Sequence, residues 1–146
     1  GFAFKKDTND TRESAAIYVC RDLLQERARL KVYDPRVEPE KIKNDLIYLM
    51  TGPDGELSAE NRSLIENNVE VVNSPEAAAD ATHAIAVMTE WDSFKEVDFT
   101  KVYDSMQKPA FVFDGRNLLD RAKLTEIGFE AHAIGKPVAH HLGWQG

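Results

Sequence analysis

GFAFKKDTNDTRES, residues 1–14, is the stretch from which the rest of the sequence can be understood. It begins apolar, becomes charged and polar, and leads into residues 15–26, where apolar side chains recur at spacings of three and four. That order predicts the end of a buried strand, a loop, and the N-terminus of an amphipathic helix. We expect Asp10 to cap this helix, with Glu13 as its capping-box partner three residues later.

The loop of this stretch is rich in positive charge, because it contains Lys5, Lys6 and Arg12. Backbone N–H groups and the positive end of a helix dipole meet at such a strand-to-helix junction. These features predict an anion site, most simply for a phosphate. The alternative is an ordinary solvated loop, and the sequence contains neither a GxGxxG nor a GxxxxGK(S/T) fingerprint that would decide between the two.

Strand and helix patterns alternate along the rest of the chain. Strand patterns occur at residues 29–33, 69–72, 83–88, 110–113 and 129–134, and helix patterns at 38–50, 74–81, 99–106 and from Leu118 or Asp120 to about Ile127. Residues 83–88 form a continuous apolar run, which is typical of a central strand covered on both faces. Residues 51–63 are rich in Gly, Pro, Asp and Glu and predict a mobile surface loop. The alternation predicts an α/β fold, with a mostly parallel sheet of five to six strands and helices on both faces.

Composition and length limit the possible functions. A chain of 146 residues indicates one domain, and 18 basic against 25 acidic side chains argue against a nucleic-acid partner. No apolar run approaches the roughly 18 residues of a membrane span, and the N-terminus lacks a signal-peptide pattern. The one cysteine, Cys20, excludes an internal disulfide and fits a reducing, cytoplasmic setting. Its place on the apolar side of the first helix predicts a core residue and not a nucleophile.

Polar clusters directly follow three of the predicted strands, at residues 5–12, 89–92 and 114–117. Ligands of open parallel sheets bind outside the carboxyl ends of the strands, so we expect these clusters to share one cleft. Arg116 is the most informative cation, because Gly115 permits a sharp turn before it and a guanidinium fork suits phosphate or carboxylate. The alternative for Arg116 is a surface ion pair with Asp114 or Asp120.

Three other features have simpler explanations. Trp91 could stack on a base or a partner, but a packing role is favoured because burial dominates the energetics of aromatic side chains. Asp34 ends a strand where a dinucleotide-binding fold often places a ribose-binding acid, yet Pro35 follows it and no glycine fingerprint precedes it, so we expect a turn residue. The adjacent His140 and His141 point apart on most backbones, so we expect no metal site there.

Four motifs in this order resemble those of one enzyme family. They are GFAFKKDTNDTRES at residues 1–14, VYDP at 32–35, TEWD at 89–92 and PAFVFDGRN at 109–117. Together they are similar to the C-terminal, UDP-binding domain of UDP-glucose 6-dehydrogenases, in the UDP-glucose/GDP-mannose dehydrogenase family. The resemblance covers residues 1–135, with a first strand that we expect to be truncated, and leaves residues 136–146 as a tail. It implies a Rossmann-like three-layer sandwich.

The resemblance also implies site residues. By motif match, Phe4, Lys5 and Arg116 correspond to residues that contact the UDP-sugar. Arg12 corresponds to a residue that contacts NAD across the cleft. UDP-sugar and NAD each carry a diphosphate, which suits cationic side chains.

The reaction implied is the oxidation of UDP-glucose to UDP-glucuronate with two NAD. In the family, the nucleophilic cysteine, the acid/base residues and the glycine-rich NAD loop lie in an N-terminal domain that is not in this sequence, so we expect the chain alone to be inactive. The implied partners are UDP-glucose, NAD, that N-terminal domain and further copies in a homo-oligomer. The alternatives are a GDP-mannose or UDP-N-acetylmannosamine dehydrogenase domain, and a non-catalytic nucleotide-binding or oligomerisation module.

Overall fold

The computed structural model describes residues 1–12 and 14–133 of the chain. Within these residues, five short strands form two parallel sheets. One sheet pairs β1, Leu30–Val32, with β2, Val69–Val71. The other has the order β3–β4–β5, whose strands are Ala84–Val87, Phe111–Asp114 and Glu130–Ala133. The predicted α/β class and parallel strands are confirmed, although the strands are divided between two sheets.

The described part of the chain has six α-helices, of which the first precedes β1 and the other five lie between strands. They are α1 (Ala15–Gln25), α2 (Pro39–Met50), α3 (Ala59–Asn68), α4 (Pro75–Ala79), α5 (Phe99–Ser105) and α6 (Arg121–Ile127). A short 3₁₀ helix, Asp92–Glu96, lies between β3 and α5. Helices α1, α2 and α3 pack against one another, whereas α5 packs on α6 and α6 packs on β5. Each connection between neighbouring parallel strands therefore contains at least one helix, as the sequence pattern predicts.

Helix α1 begins later than predicted. Ser14, and not Asp10, is its N-cap, because the Ser14 Oγ accepts a hydrogen bond from the backbone N–H of Ile17 at 3.4 Å. Asp10 instead accepts the backbone N–H of Arg12 at 3.0 Å, in a turn that precedes the helix. A cap must directly precede the first helical residue, and the apolar periodicity did not show where the turn ends. The expected capping-box partner Glu13 lies outside the described residues.

Helix α3 was not predicted, since residues 51–63 were interpreted as a surface loop. The loop ends at Ser58, whose Oγ caps α3 by accepting the N–H of Asn61 at 3.0 Å. Leu64 and Ile65 are the buried residues of this helix. Two adjacent apolar residues do not produce a helical period, so the helix was hidden in a polar sequence.

Residues 1–3 connect the carboxyl ends of the two sheets. The backbone N–H groups of Phe2 and Ala3 donate to Oδ2 of Asp34, just after β1, at 2.8 and 2.9 Å. The Oγ1 of Thr89, just after β3, donates to the Ala3 carbonyl at 2.8 Å. Phe2 is completely buried. The strand predicted to end at residues 1–4 is not formed, and β1 and β3 are joined through this segment and not through a shared β-ladder.

The core has two parts. One surrounds Phe2, Leu24, Leu46 and Trp91, and contains residues of β1, β2 and the first helices. The other lies between the β3–β4–β5 sheet and α5 and α6, with Val112 at its centre. Burial within the first cluster raises the pKa of the Cys20 thiol to about 11, which agrees with the predicted core role.

The opposite face of the β3–β4–β5 sheet is open. Ala84 and Ala86 are exposed, and the exposed Phe113 is stacked between Phe111 and His132. The prediction that residues 83–88 form a strand covered on both faces is therefore wrong for this face. The short side chains of the two alanines gave the sequence an apolar character without requiring burial.

Membrane-spanning helices and metal-binding clusters of side chains are both absent from the described residues. In that part of the chain, no helix is long and apolar enough to cross a membrane. Nor do residues 1–12 and 14–133 contain a group of three or more His, Cys, Asp or Glu side chains that could hold a metal ion. His140 and His141 lie outside these ranges.

Candidate functional site

The polar corners after β3 and β4 and the loop of residues 4–12 meet at one edge of the molecule. Glu90, three residues after the end of β3 at Val87, is the side chain that joins them. Its Oε1 accepts the backbone N–H of Lys6 at 3.5 Å, and its Oε2 forms an ion pair with Nη2 of Arg116. Lys6 also places its Nζ 3.5 Å from Oδ2 of Asp92. Residues of the three polar clusters therefore lie next to one another around Glu90, and the shared cleft stays a prediction.

The corner after β4 fixes the position of Arg116. Asp114 is buried, and its carboxylate accepts the backbone N–H groups of Arg116 and Leu119 at 3.1 and 2.7 Å. Gly115 lies so close to β3 that an added Cβ would stand 3.0 Å from the carbonyl oxygen of Val87. A side chain at this position would push the corner away from β3, so a glycine here lets Arg116 reach Glu90.

Arg116 forms its ion pair with a different acid from those expected. The sequence suggested Asp114 or Asp120, but Asp114 accepts backbone N–H groups and Asp120 caps α6 by accepting the N–H of Lys123 at 3.2 Å. Both acids are therefore occupied in shaping the local backbone. Glu90 is distant in sequence, and only the parallel pairing of β3 with β4 brings it beside Arg116.

Phe4 and Lys5 lie in the loop that contributes Lys6 to this edge. The backbone N–H of Phe4 donates to the carbonyl oxygen of Asp10 at 2.6 Å, which folds the loop back on itself. The Phe4 residue is 49% exposed, and Lys5 is exposed beside it. The loop thus presents an aromatic ring and a cation to solvent, while the contact with Glu90 is made by Lys6.

Arg12 is engaged within its own turn. Its Nε and Nη2 donate to the two carboxylate oxygens of Asp10 at 3.0 and 2.8 Å, and its side chain is 87% exposed. The guanidinium and backbone hydrogen bonds of Arg12 lower the pKa of Asp10 to about 2. The structure places Arg12 at the far end of the loop from Lys6, facing solvent, so its role as an NAD contact stays a prediction.

Comparisons with known proteins show the family of this chain. Residues 1–121 match the UDP-glucose/GDP-mannose dehydrogenase family, UDP binding domain. The chain belongs to this family. It is 50% identical over 136 residues to UDP-glucose 6-dehydrogenase of Drosophila melanogaster, a match covering 93% of this chain and 27% of that protein. It is also 50% identical over 140 residues to UDP-glucose 6-dehydrogenase 2 of Arabidopsis thaliana, which covers 94% of this chain and 29% of the relative.

A solved structure supports the fold of this UDP binding domain. The NDP-N-acetyl-D-galactosaminuronic acid dehydrogenase from Methanosarcina mazei Go1 aligns with a TM-score of 0.66 and 22% sequence identity. The alignment covers 97% of this chain and 24% of that structure. The chain therefore spans between a quarter and a third of the length of the relatives that it matches.

In this UDP binding domain, the acid after β1 has a structural role. The carboxylate of Asp34 accepts five hydrogen bonds. Its Oδ2 accepts the backbone N–H groups of Phe2 (2.8 Å) and Ala3 (2.9 Å) and the indole N–H of Trp91 (3.1 Å). Its Oδ1 accepts the backbone N–H groups of Arg36 (2.8 Å) and Val37 (3.1 Å). Burial acts to raise the pKa of Asp34, but these hydrogen bonds outweigh it and the pKa is lowered. Asp34 is thus a turn residue, as predicted, and Trp91 is buried against it.

A cavity of about 470 Å³ lies near the Arg116 corner but does not contain the predicted site residues. Its lining includes apolar residues such as Phe99 and Leu118, the cations Lys95 and Lys123, and the acids Asp98 and Asp120. The two acids oppose the negative charge of a diphosphate, and the lining contains none of residues 4–12, 89–92 and 114–117. We therefore locate the candidate site at the charged edge around Glu90 and not in this cavity.

The sequence predicts Lys6 only as one cation of an anion-binding loop, and it predicts no role for Glu90. An available signal was the position of Glu90, since an acid three residues after β3 lies at the same sheet edge as the corner after β4.

Proposed function

We propose that this chain binds the UDP part of a nucleotide sugar, as the UDP-binding domain of an NAD-dependent UDP-glucose 6-dehydrogenase. The observation that carries the proposal is the double contact of Glu90 with the Lys6 backbone and the Arg116 guanidinium, because it joins the loop of residues 4–12 to the corner after β4 at one edge. Membership of the UDP-glucose/GDP-mannose dehydrogenase family supports UDP as the nucleotide. In the proposed enzyme, UDP-glucose is oxidised to UDP-glucuronate and two NAD are reduced.

The residues of the edge suit the chemistry of a UDP-sugar. Lys5 and Arg116 supply positive charge for the diphosphate, and the guanidinium of Arg116 offers a fork of N–H donors. The exposed ring of Phe4 offers a flat apolar surface against which part of the ligand can pack. These side chains bind and orient the nucleotide, and we place the oxidation chemistry in an N-terminal domain of the same enzyme.

We propose that Arg12 makes a single contact with NAD. Its exposed guanidinium could exchange Asp10 for a phosphate oxygen of the cofactor, since both are anionic acceptors. The chain has no GxGxxG loop that would hold the rest of a dinucleotide. We therefore propose that NAD is held mainly by the N-terminal domain, and that hydride transfer takes place there.

A titration of the ¹⁵N-labelled chain tests the nucleotide assignment. With UDP and UDP-glucose we expect weak, millimolar binding, because the chain lacks the rest of the proposed cleft, with shifts confined to residues 4–12, 89–92 and 114–117. GDP, a matched purine control, should produce smaller shifts. Shifts centred on the cavity between α5 and α6 would contradict the proposed site, and equal affinity for GDP would contradict UDP selectivity.

Two activity assays test the proposed enzyme. The isolated chain should produce no NADH from UDP-glucose and NAD, since the residues proposed to carry out the chemistry lie outside it. A chimera in which this chain replaces the matching segment of the Drosophila melanogaster enzyme should reduce NAD with UDP-glucose and not with GDP-mannose. A chimera that folds but oxidises GDP-mannose instead would reassign the substrate.

A further inference from the structure

The Glu90 carboxylate contacts the guanidinium of Arg116 and the backbone N–H of Lys6, and not the Lys6 ammonium. Its Oε2 is buried, whereas the Arg116 side chain is 37% exposed. Glu90 therefore holds the inner side of Arg116, whose outer side faces solvent. This differs from Asp92, which is 68% exposed and meets Lys6 and Lys95 from the solvent side.

We propose that Glu90 is a positioning residue of the nucleotide site, which holds the Arg116 guanidinium and the Lys6 backbone in the orientation that a diphosphate requires. This inference rests on the proposed function. Glu90 does not touch the ligand, and it acts through Arg116 and through the loop of residues 4–12. The ligand class is a nucleoside diphosphate approaching from solvent.

The hydrogen-bonding capacity of arginine allows this arrangement. A guanidinium carries five N–H donors, and the contact with Glu90 involves Nη2. Other donors of Arg116 can therefore face a phosphate while the ion pair with Glu90 persists. A long side chain that is already held loses less conformational freedom when the ligand binds, so pre-orientation increases affinity.

The buried position of Oε2 also argues against the alternative that Glu90 occupies the phosphate position when no ligand is bound. A carboxylate that merely occupied the phosphate position would lie on the solvent side of Arg116 and would be displaced by UDP. Removal of such a competitor would increase affinity for UDP. Removal of a positioning residue has the opposite effect, so the sign of the change separates the two roles.

Titration of the ¹⁵N-labelled chain with UDP tests the proposal through Glu90→Gln. Glutamine keeps the size and an acceptor for the Lys6 N–H but loses the charge that holds Arg116. We expect the Kd for UDP to rise roughly two- to 150-fold, the range of coupling between contacting residues. In an Arg116→Ala background the same substitution should have no further effect on Kd. The control Glu60→Gln, which removes the exposed partner of Arg27, should change Kd less than about twofold.

A second readout does not depend on UDP binding. The Arg116 Nη–H signals, which include the group that contacts Glu90, should be protected from exchange in the wild-type chain, and should exchange faster in Glu90→Gln while the melting temperature stays within a few degrees. Should the wild-type chain not bind UDP, the proposed function fails, and the exchange of these signals still decides whether Glu90 holds Arg116. Unchanged or tighter UDP binding in Glu90→Gln, or an unaltered Arg116 signal, would overturn the positioning role.

A conservative variant provides a second test of the positioning role. If Glu90→Gln does not fold, Glu90→Asp keeps the charge but shortens the reach to Arg116. We expect the folded Asp variant to bind UDP more weakly and to show faster exchange at Arg116. Wild-type values of both quantities in Glu90→Asp would contradict the geometry on which the inference rests.

Discussion

Two carboxylates follow two parallel strands of this domain, and they do different work. Asp34, after β1, accepts five N–H hydrogen bonds from neutral groups and is buried. Glu90, after β3, meets a backbone N–H and a guanidinium at a partly exposed edge. Their positions relative to the strands are similar, so position does not distinguish them. Their hydrogen-bonding partners distinguish them. A carboxylate saturated by N–H donors stabilises the fold, whereas one that pairs with a partly exposed arginine can orient that arginine for ligand binding.

The largest expected effect comes from the structural acid. Asp34→Ala leaves five N–H groups without their acceptor, so we expect a loss of about 3–5 kcal/mol in the free energy of unfolding, the scale of breaking a buried charged network. Urea unfolding followed by Trp91 fluorescence measures the loss. Asp104→Ala, at an exposed position of α5, should change stability by less than about 0.5 kcal/mol. A loss below 1 kcal/mol for Asp34→Ala would remove the contrast between the two acids.

The next effect concerns binding and not stability. Arg116→Ala should weaken UDP binding by about 1.5–3 kcal/mol, the scale of a charged hydrogen bond, which raises Kd roughly 10- to 150-fold. Arg27→Ala is the control, since Arg27 also pairs with a glutamate but at an exposed site. The nucleotide titration measures both variants, and an unchanged Kd in Arg116→Ala would remove Arg116 from the site.

The smallest effect appears only at acid pH. The pKa of Asp34 is lower in the folded chain than its unfolded value of about 4, so its contribution to stability is present above that pH. This contribution is lost as the pH falls from about 4 through the lowered folded value. Urea midpoints between pH 7 and 3 should therefore decrease on the acid side, and Asp34→Asn should flatten that decrease.

Asp10 provides the control for this acid dependence. Its pKa is also lowered, to about 2, but by an exposed arginine, and exposed pairs contribute little to stability. Asp10→Asn should therefore leave the acid decrease almost unchanged. An equal flattening in the two variants would show that burial does not separate the two carboxylates.

The fold was more predictable than the site, for a physical reason. Apolar runs such as residues 110–113 and helix patterns such as 74–81 depend on neighbouring residues, and both lie within two residues of the observed β4 and α4. The missed helix α3 buries too few residues to show a period. The open face of the β3–β4–β5 sheet was missed because alanine is compatible with both burial and exposure.

The site residues depend on contacts between distant parts of the chain. Arg116 was predicted as the key cation, but its partner was sought among nearby acids, because sequence shows neighbours and not the approach of two corners. For the same reason, Lys6 could not be distinguished from Lys5 in its contact with Glu90. The assignments of Phe4, Lys5 and Arg12 came from motif likeness, and they remain predictions.

The hydrogen bonds at the start of the chain have a consequence for folding kinetics. Phe2 and Asp34 are 32 positions apart, Trp91 and Asp34 are 57 apart, and Thr89 and Ala3 are 86 apart. Such long loops close late, because their entropy must be lost before any contact forms. Native Trp91 emission and competence for UDP should therefore return together on refolding, after the helices have formed.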